Sequence, residues 1–120
     1  MAARGEGTIV HEDGSETHVL YTNRALADVE KSTGKSTIAI ADGFASGSSG
    51  IREMAQVLRA GMEAHRRDAR EGGRAVTLND AYDVLDEVGF AAVAEVTMEG
   101  IAAVLSYGVD EEDLETNPNL

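Results

Sequence analysis

The chain has 120 residues, 42% of them hydrophobic and 27% charged, which is the balance of one globular domain rather than of a disordered chain. Its net charge of −12 repels nucleic-acid phosphates and anionic lipid, and the absence of cysteine excludes disulfides and thiolate chemistry. No apolar run approaches the roughly 20 residues that cross a bilayer. We therefore expect no nucleic-acid or membrane partner. The acidity fits either a basic or aggregation-prone partner, or simply solubility.

A β-hairpin is predicted at residues 8–21. Asp13 and Gly14 form a strong turn signal between two β-prone runs, because glycine adopts positive φ at little cost. If these two residues make up the whole loop, Val10 pairs with Thr17. A lone hairpin is marginal in water, so it must pack on other elements or gain a strand from a neighbour.

The first helix is predicted at residues 22–33. Thr22 can cap its first turn, and Tyr21 and Leu26 stand where a hydrophobic staple joins the residue before the cap to the helix. Gly34 can end the helix in the left-handed conformation.

The middle of the chain is predicted as a weak helix, a connector and a long helix. Residues 36–45 favour a helix weakly, because their apolar spacing is partly that of a strand. The Gly- and Ser-rich stretch at residues 43–50 is predicted to be a flexible connector. Ser48 or Ser49 would then cap the longest helix, at residues 51–70.

Two further helices are predicted before the C-terminal segment. Thr77 opens the first with a capping box in which Asp80 is the acidic partner, and Gly89 ends it. The last helix runs over residues 90–107. Gly100 in its interior costs about 1 kcal/mol relative to alanine, so we predict that it marks a close helix crossing.

These elements predict an α+β fold, mostly α: an N-terminal β-hairpin followed by a bundle of four to five short helices. We expect a single domain over residues 8–107. A flexible N-terminal segment, residues 1–7, would precede it, and it lacks the apolar stretch of a secretion signal. An acidic disordered tail, residues 108–120, would follow it.

No enzymatic signature stands out. In the predicted register, His11 and His18 lie diagonally on one face of the hairpin with Glu16 nearby, which could offer metal ligands. Solvated hairpin histidines are far commoner, so no metal, cofactor or catalytic residue is predicted. The serines at residues 46–49 lack the pattern of a nucleophile elbow, and the surrounding glycines lack that of a phosphate-binding loop.

The basic residues cluster in one place. A DNA-contacting role for this cluster is conceivable, but acidic residues surround it, so pairing with the protein's own acidic surface or with that of a neighbouring copy is the stronger interpretation. The cluster comprises Arg66, Arg67, Arg70 and Arg74.

Residues 20–36 resemble the opening of the tail assembly chaperone family of long-tailed bacteriophages and gene transfer agents. The resemblance lies in a Thr-Asn-Arg-Ala helix start at residues 22–25 and a Glu-x-x-Thr-Gly helix end at residues 30–34. The helix beginning at residues 51–61 and the Thr-Leu-x-x-Ala helix at residues 77–89 follow in the family's order.

The resemblance implies a non-enzymatic protein that binds the long, apolar tape measure protein during tail tube assembly. Members self-associate, act in the host cell cytoplasm and are absent from the mature virion, and many also exist in a longer, frameshifted form. Two rivals remain open: a structural virion component, such as a tail tube or head-completion subunit, and a small DNA-binding regulator.

A chaperone for an apolar client needs exposed apolar helix faces. Methionines supply the adaptable contacts that permissive binding surfaces use. The alternative is that the same residues form the protein's own core. The candidate partner-binding residues are Met54, Leu58, Met62, Val96, Met98, Ile101, Val104 and Leu105.

Overall fold

The predicted fold class is confirmed: a two-stranded antiparallel hairpin precedes five helices in the computed structural model, which describes residues 5–107. The tail predicted at residues 108–120 lies outside the described residues. β1 begins within the segment predicted to be flexible, since Glu6 and Gly7 are already paired. The elements are β1 (Glu6–Val10), β2 (Glu16–Leu20), α1 (Asn23–Thr33), α2 (Thr37–Ser46), α3 (Ile51–Asp68), α4 (Leu78–Val88) and α5 (Phe90–Leu105).

The register of the hairpin differs from the predicted one by one residue, because its loop is longer. Val10 pairs with Glu16 rather than with Thr17. Gly14 adopts a φ of 88° and donates its N–H to the carbonyl of His11 at 2.9 Å, so the loop has three residues instead of two. A turn followed by glycine in the left-handed region is a common three-residue hairpin loop.

The predicted ends of α1 are confirmed. The Thr22 hydroxyl accepts the N–H of Ala25 at 3.0 Å, which satisfies a backbone donor of the first turn. Gly34 ends the helix with a φ of 74° and donates its N–H to the carbonyl of Glu30 at 2.8 Å. Both ends are thus specified by local sequence.

The connector between α2 and α3 is shorter than predicted. α2 continues through Gly43 to Ser46, so only residues 47–50 connect the two helices. A Cβ on Gly43 would collide with the Ser49 hydroxyl, which donates to the carbonyl of Ile40 at 3.0 Å. The absence of a side chain at Gly43 therefore allows the connector to pack closely against α2.

The cap of α3 also differs from the prediction. Gly50 rather than Ser48 or Ser49 occupies the N-cap position, and its N–H donates to the Glu53 carboxylate at 2.8 Å. Ser49 is unavailable because its hydroxyl is bonded to α2. The carboxylate in the first turn also interacts favourably with the helix dipole.

α3 is the central helix, and it packs against β2, α1, α4 and α5. The hairpin lies against α3 and α5, which provides the support that an isolated hairpin lacks. α4 and α5 meet at Gly89, where the chain bends by 119°. Within residues 5–107 no single helix is both long and apolar enough to span a membrane; α4 and α5 reach that length and composition only as a bent pair.

Tyr21 lies at the centre of the packing and is fully buried. Its hydroxyl donates to the carbonyl of Val57 in α3 at 2.8 Å. The ring fits between two glycines: a Cβ on Gly61 would lie 2.6 Å from ring atom Cζ, and one on Gly100 would lie 2.8 Å from Cδ2. Gly100 therefore marks a close approach of α5 to this ring, not the helix crossing that we predicted.

We expect Gly61→Ala to destabilise the fold. Alanine gains about 1 kcal/mol over glycine in a helix interior, but overpacking a filled core costs about 1–3 kcal/mol. The added methyl also displaces the Tyr21 hydroxyl from its acceptor. Urea unfolding followed by circular dichroism measures the change. Gly72→Ala, which meets open space in the α3–α4 loop, is the matched control and should lose nothing.

Candidate partner-binding surface

Three of the predicted partner-binding residues belong to the core. Met54 and Leu58 are fully buried in α3, and Ile101 of α5 is 3% exposed. A partner could contact them only if the core opened. Their helical spacing indicated a buried face, and the protein's own hairpin and helices cover that face.

The other predicted residues lie closer to the surface. Met62, Val96, Met98 and Val104 are half-buried and pack against the core, whereas the Leu105 side chain at the end of α5 is 47% exposed. Exposed apolar area at a helix end is available to another polypeptide. Of the eight candidate residues, Leu105 is the one whose side chain is exposed.

An open cleft of about 230 Å³ lies beside this end of α5. Val104 and Tyr107 form one wall, and Thr22 and Asn23 at the start of α1 form the other. Tyr107 is 63% exposed. We call Val104, Leu105, Tyr107, Thr22 and Asn23 the α5-end surface. Sequence reasoning missed Tyr107, although an aromatic residue just beyond an apolar helix was a usable signal.

A second, larger groove of about 810 Å³ runs between α1 and α3. Its floor contains small apolar residues, notably Ala25, Ala60 and Ala64. Thr22 belongs to both this groove and the cleft of the α5-end surface, so the two openings adjoin. The charged residues that line the groove are Arg24, Asp28, Lys31, Arg59, Glu63, Arg67 and Asp68.

Three of the four arginines in the predicted basic cluster, Arg66, Arg67 and Arg74, form ion pairs with acidic residues of the same chain. Arg66 donates hydrogen bonds to both oxygens of the buried Glu63 carboxylate, each at 2.8 Å, and Arg67 donates to Oε2 at 2.8 Å. The backbone N–H of Val76 donates to Oε1 at 2.9 Å. The hydrogen bonds from Arg66, with those from Val76 and Arg67, lower the pKa of Glu63 to about 2 despite its burial. This cluster ties the end of α3 to the loop before α4.

Arg74 has a similar structural role at the start of α4. Its guanidinium donates to both oxygens of Asp80, at 2.7 and 2.8 Å, which is a bidentate pair. Asp80 also accepts the N–H of Thr77, and the Thr77 hydroxyl accepts the N–H of Asp80, so the predicted capping box is confirmed. The hydrogen bonds from Arg74, with that from the Thr77 N–H, hold the pKa of Asp80 far below its ordinary value. The cluster offers no uniform positive patch to nucleic acid.

The remaining carboxylates with a lowered pKa also hold local structure. Glu30 accepts the N–H of Thr37 at 2.7 Å, and Glu53 accepts that of Gly50; these bonds are the main causes of their lowered pKa values. Asp13 accepts both the hydroxyl and the N–H of Ser15 in the hairpin loop, which lowers its pKa. Each perturbed carboxylate thus has a local structural partner.

The observed register places His11 and His18 on opposite faces of the hairpin, so they cannot act as a pair of metal ligands. His11 is buried; its Nε2 lies 2.6 Å from the Thr17 hydroxyl, and its Nδ1 lies 3.0 Å from a Glu87 oxygen of α4. The His18 ring stacks on His65 of α3 at 5.0 Å. Residues 5–107 contain no group of three side chains able to hold a metal ion.

The histidines instead connect the hairpin to the helices around it. His11 contacts α4 and His18 contacts the end of α3, so one histidine on each face of the hairpin contacts a neighbouring helix.

Comparison with protein-family models, curated proteins and solved structures found no match for this chain.

Proposed function

We propose that this chain is a non-enzymatic tail assembly chaperone that binds the tape measure protein while the tail tube is built. One observation carries the proposal. Thr22 and Asn23, which open the Thr-Asn-Arg-Ala segment on which the family resemblance depends, form one wall of the exposed cleft of the α5-end surface. The segment that resembles the family thus borders an accessible cleft whose other wall is formed by Val104 and Tyr107.

The chemistry of this surface fits an apolar helical client. Leu105 and Tyr107 offer an aliphatic and an aromatic side chain, and the cleft that Val104 and Tyr107 line can admit a side chain of the client. Amphipathic helices bind such surfaces through apolar residues one turn apart. The net charge of −12 keeps the complex soluble while the client's apolar residues are covered.

The proposal includes self-association around the client, action in the host cell cytoplasm and release before the virion is complete. Mass spectrometry distinguishes it from the rival structural role. We expect the chain in lysates in which tails are assembling and not in purified virions. Stoichiometric recovery from mature particles would favour a tail tube or head-completion subunit.

We expect Leu105→Asp to weaken client binding at least about tenfold, because a charge in a contact centre removes on the order of 2 kcal/mol. The tape measure segment that binds the original chain most tightly is titrated into each variant, and the change in its dissociation constant measures the loss of affinity. Ile38→Asp is the matched control, since Ile38 is an equally apolar, 62% exposed side chain on α2. If Leu105→Asp and Ile38→Asp bound the tape measure segment with equal affinity, the α5-end surface would not be the binding site.

A further inference from the structure

The groove between α1 and α3 has a charge balance unlike that of the chain. Four basic and three acidic side chains line it, whereas the whole sequence has ten basic and 22 acidic residues. Two of the three acidic groups are already neutralised: Arg59 donates to Asp28 at 2.7 Å, and Glu63 is held by its two arginines. These pairs also occupy Arg59 and Arg67, so Arg24 and Lys31 remain against Asp68 and the groove carries a small net positive charge on an acidic protein.

Two of its cations have no partner among residues 5–107. Arg24 and Lys31 are exposed on α1, form no ion pair there and lie seven residues apart, which places them on one face of the helix about 10 Å apart along its axis. The alanines between α1 and α3 leave a shallow apolar floor beside them. This combination suits a short polypeptide segment with regularly placed carboxylates and small or aliphatic side chains.

Such a segment belongs to this chain. Residues 108–120 contain five acidic and no basic side chains, and a leucine at position 114 follows the first four of the acidic residues. The segment leaves the described structure at Tyr107, in the cleft that shares Thr22 with the groove. Thirteen residues can reach up to roughly 43 Å, several times the separation of Arg24 and Lys31 along the helix.

We propose that residues 108–120 bind in cis along the groove between α1 and α3, with their carboxylates facing Arg24 and Lys31. The contact is electrostatic at the rim, where two otherwise unpaired cations meet the densest run of negative charge in the sequence, and apolar at the alanine floor. The inference does not depend on the proposed function, because it concerns the protein without a client.

Paramagnetic relaxation in the full-length chain tests the inference. Because the sequence has no cysteine, Asn117→Cys gives a single attachment point for a nitroxide label. We expect loss of the backbone amide signals of residues 24–31 in α1 and 59–67 in α3, but not of those of α4. The signals should return in about 1 M salt, where the Debye length falls to about 3 Å.

Charge reversal in the groove provides the matched comparison. The double variant R24E/K31E should restore the lost signals. R52E/R70E changes the net charge equally at two exposed arginines outside the groove, and should leave the loss unchanged. Unshifted amides elsewhere in R24E/K31E will establish that the fold is intact.

Three results would overturn the inference. The first is signal loss spread over all faces, and the second is loss that survives R24E/K31E. The third comes from mixing labelled, unenriched protein with unlabelled, isotopically enriched protein: signal loss in that sample shows that the segment of a second copy fills the groove.

Discussion

Tyr21→Ala is expected to lower the free energy of unfolding by about 3–5 kcal/mol, the range for removal of a buried aromatic ring. The ring fills the space between Gly61 and Gly100, which have no side chains that could close the cavity. Its hydroxyl bond to the carbonyl of Val57 is lost as well. Since the residue joins the hairpin to α3 and α5, the variant should unfold at a much lower urea concentration, measured by near-ultraviolet and far-ultraviolet circular dichroism.

Tyr21→Phe separates the hydroxyl from the ring. It keeps the packing and removes one buried hydrogen bond, which contributes about 1 kcal/mol. The Val57 carbonyl also takes part in its helix and remains largely satisfied. If the alanine and phenylalanine variants lost equal stability, the ring between the two glycines would not be the centre of the core.

Glu63→Gln is expected to lower the free energy of unfolding by about 1.5–3 kcal/mol at neutral pH, the range for hydrogen bonds to a charged group. The glutamine amide has one oxygen, so it cannot accept all the donors of Arg66, Arg67 and Val76. Its NH₂ group would face a guanidinium. Glu99→Gln, at an exposed position on α5, is the control and should stay within about 0.5 kcal/mol of the original chain.

The stabilisation from Glu63 should depend on pH in a defined direction. Its pKa is about 2 when folded and close to the ordinary 4.5 when unfolded, so the unfolded chain binds a proton first as the pH falls. The contribution is complete above about pH 4.5 and is lost as the pH falls towards 2. The stability difference between the original chain and Glu63→Gln should shrink across that window. A difference that stayed constant down to pH 2 would contradict the ion-pair cluster.

The two ends of α1 and the start of α4 were predictable because they depend on neighbouring residues. Thr22, Gly34 and the Thr77 capping box all act within one turn of their own positions. The α5 boundary shifted only slightly, with the last turn ending at Leu105. Local hydrogen bonds explain why these features could be read from the sequence.

The hairpin register was harder, because the Asp-Gly pair is compatible with loops of two or three residues. A shift of one residue moves every side chain of one strand to the other face. This is why the predicted placement of His11 and His18 on one face of the hairpin was wrong.

The division between core and exposed apolar surface could not be predicted, because periodicity identifies an apolar face but not what covers it. Met54 and Leu105 both fit a helical stripe, yet the hairpin and helices cover Met54 and leave Leu105 exposed. Tyr21 likewise looked like a local staple. Its contacts with Val57 and Gly100 join residues distant in sequence, and only tertiary structure reveals them.

Direct binding to the client tests the central claim. Purified full-length chain should be mixed in turn with overlapping segments covering the whole tape measure protein of the same genome, and each mixture analysed by size-exclusion chromatography with light scattering. We predict that at least one apolar helical segment co-elutes and remains soluble only when this chain is present. Separate elution of every segment would contradict the proposed function.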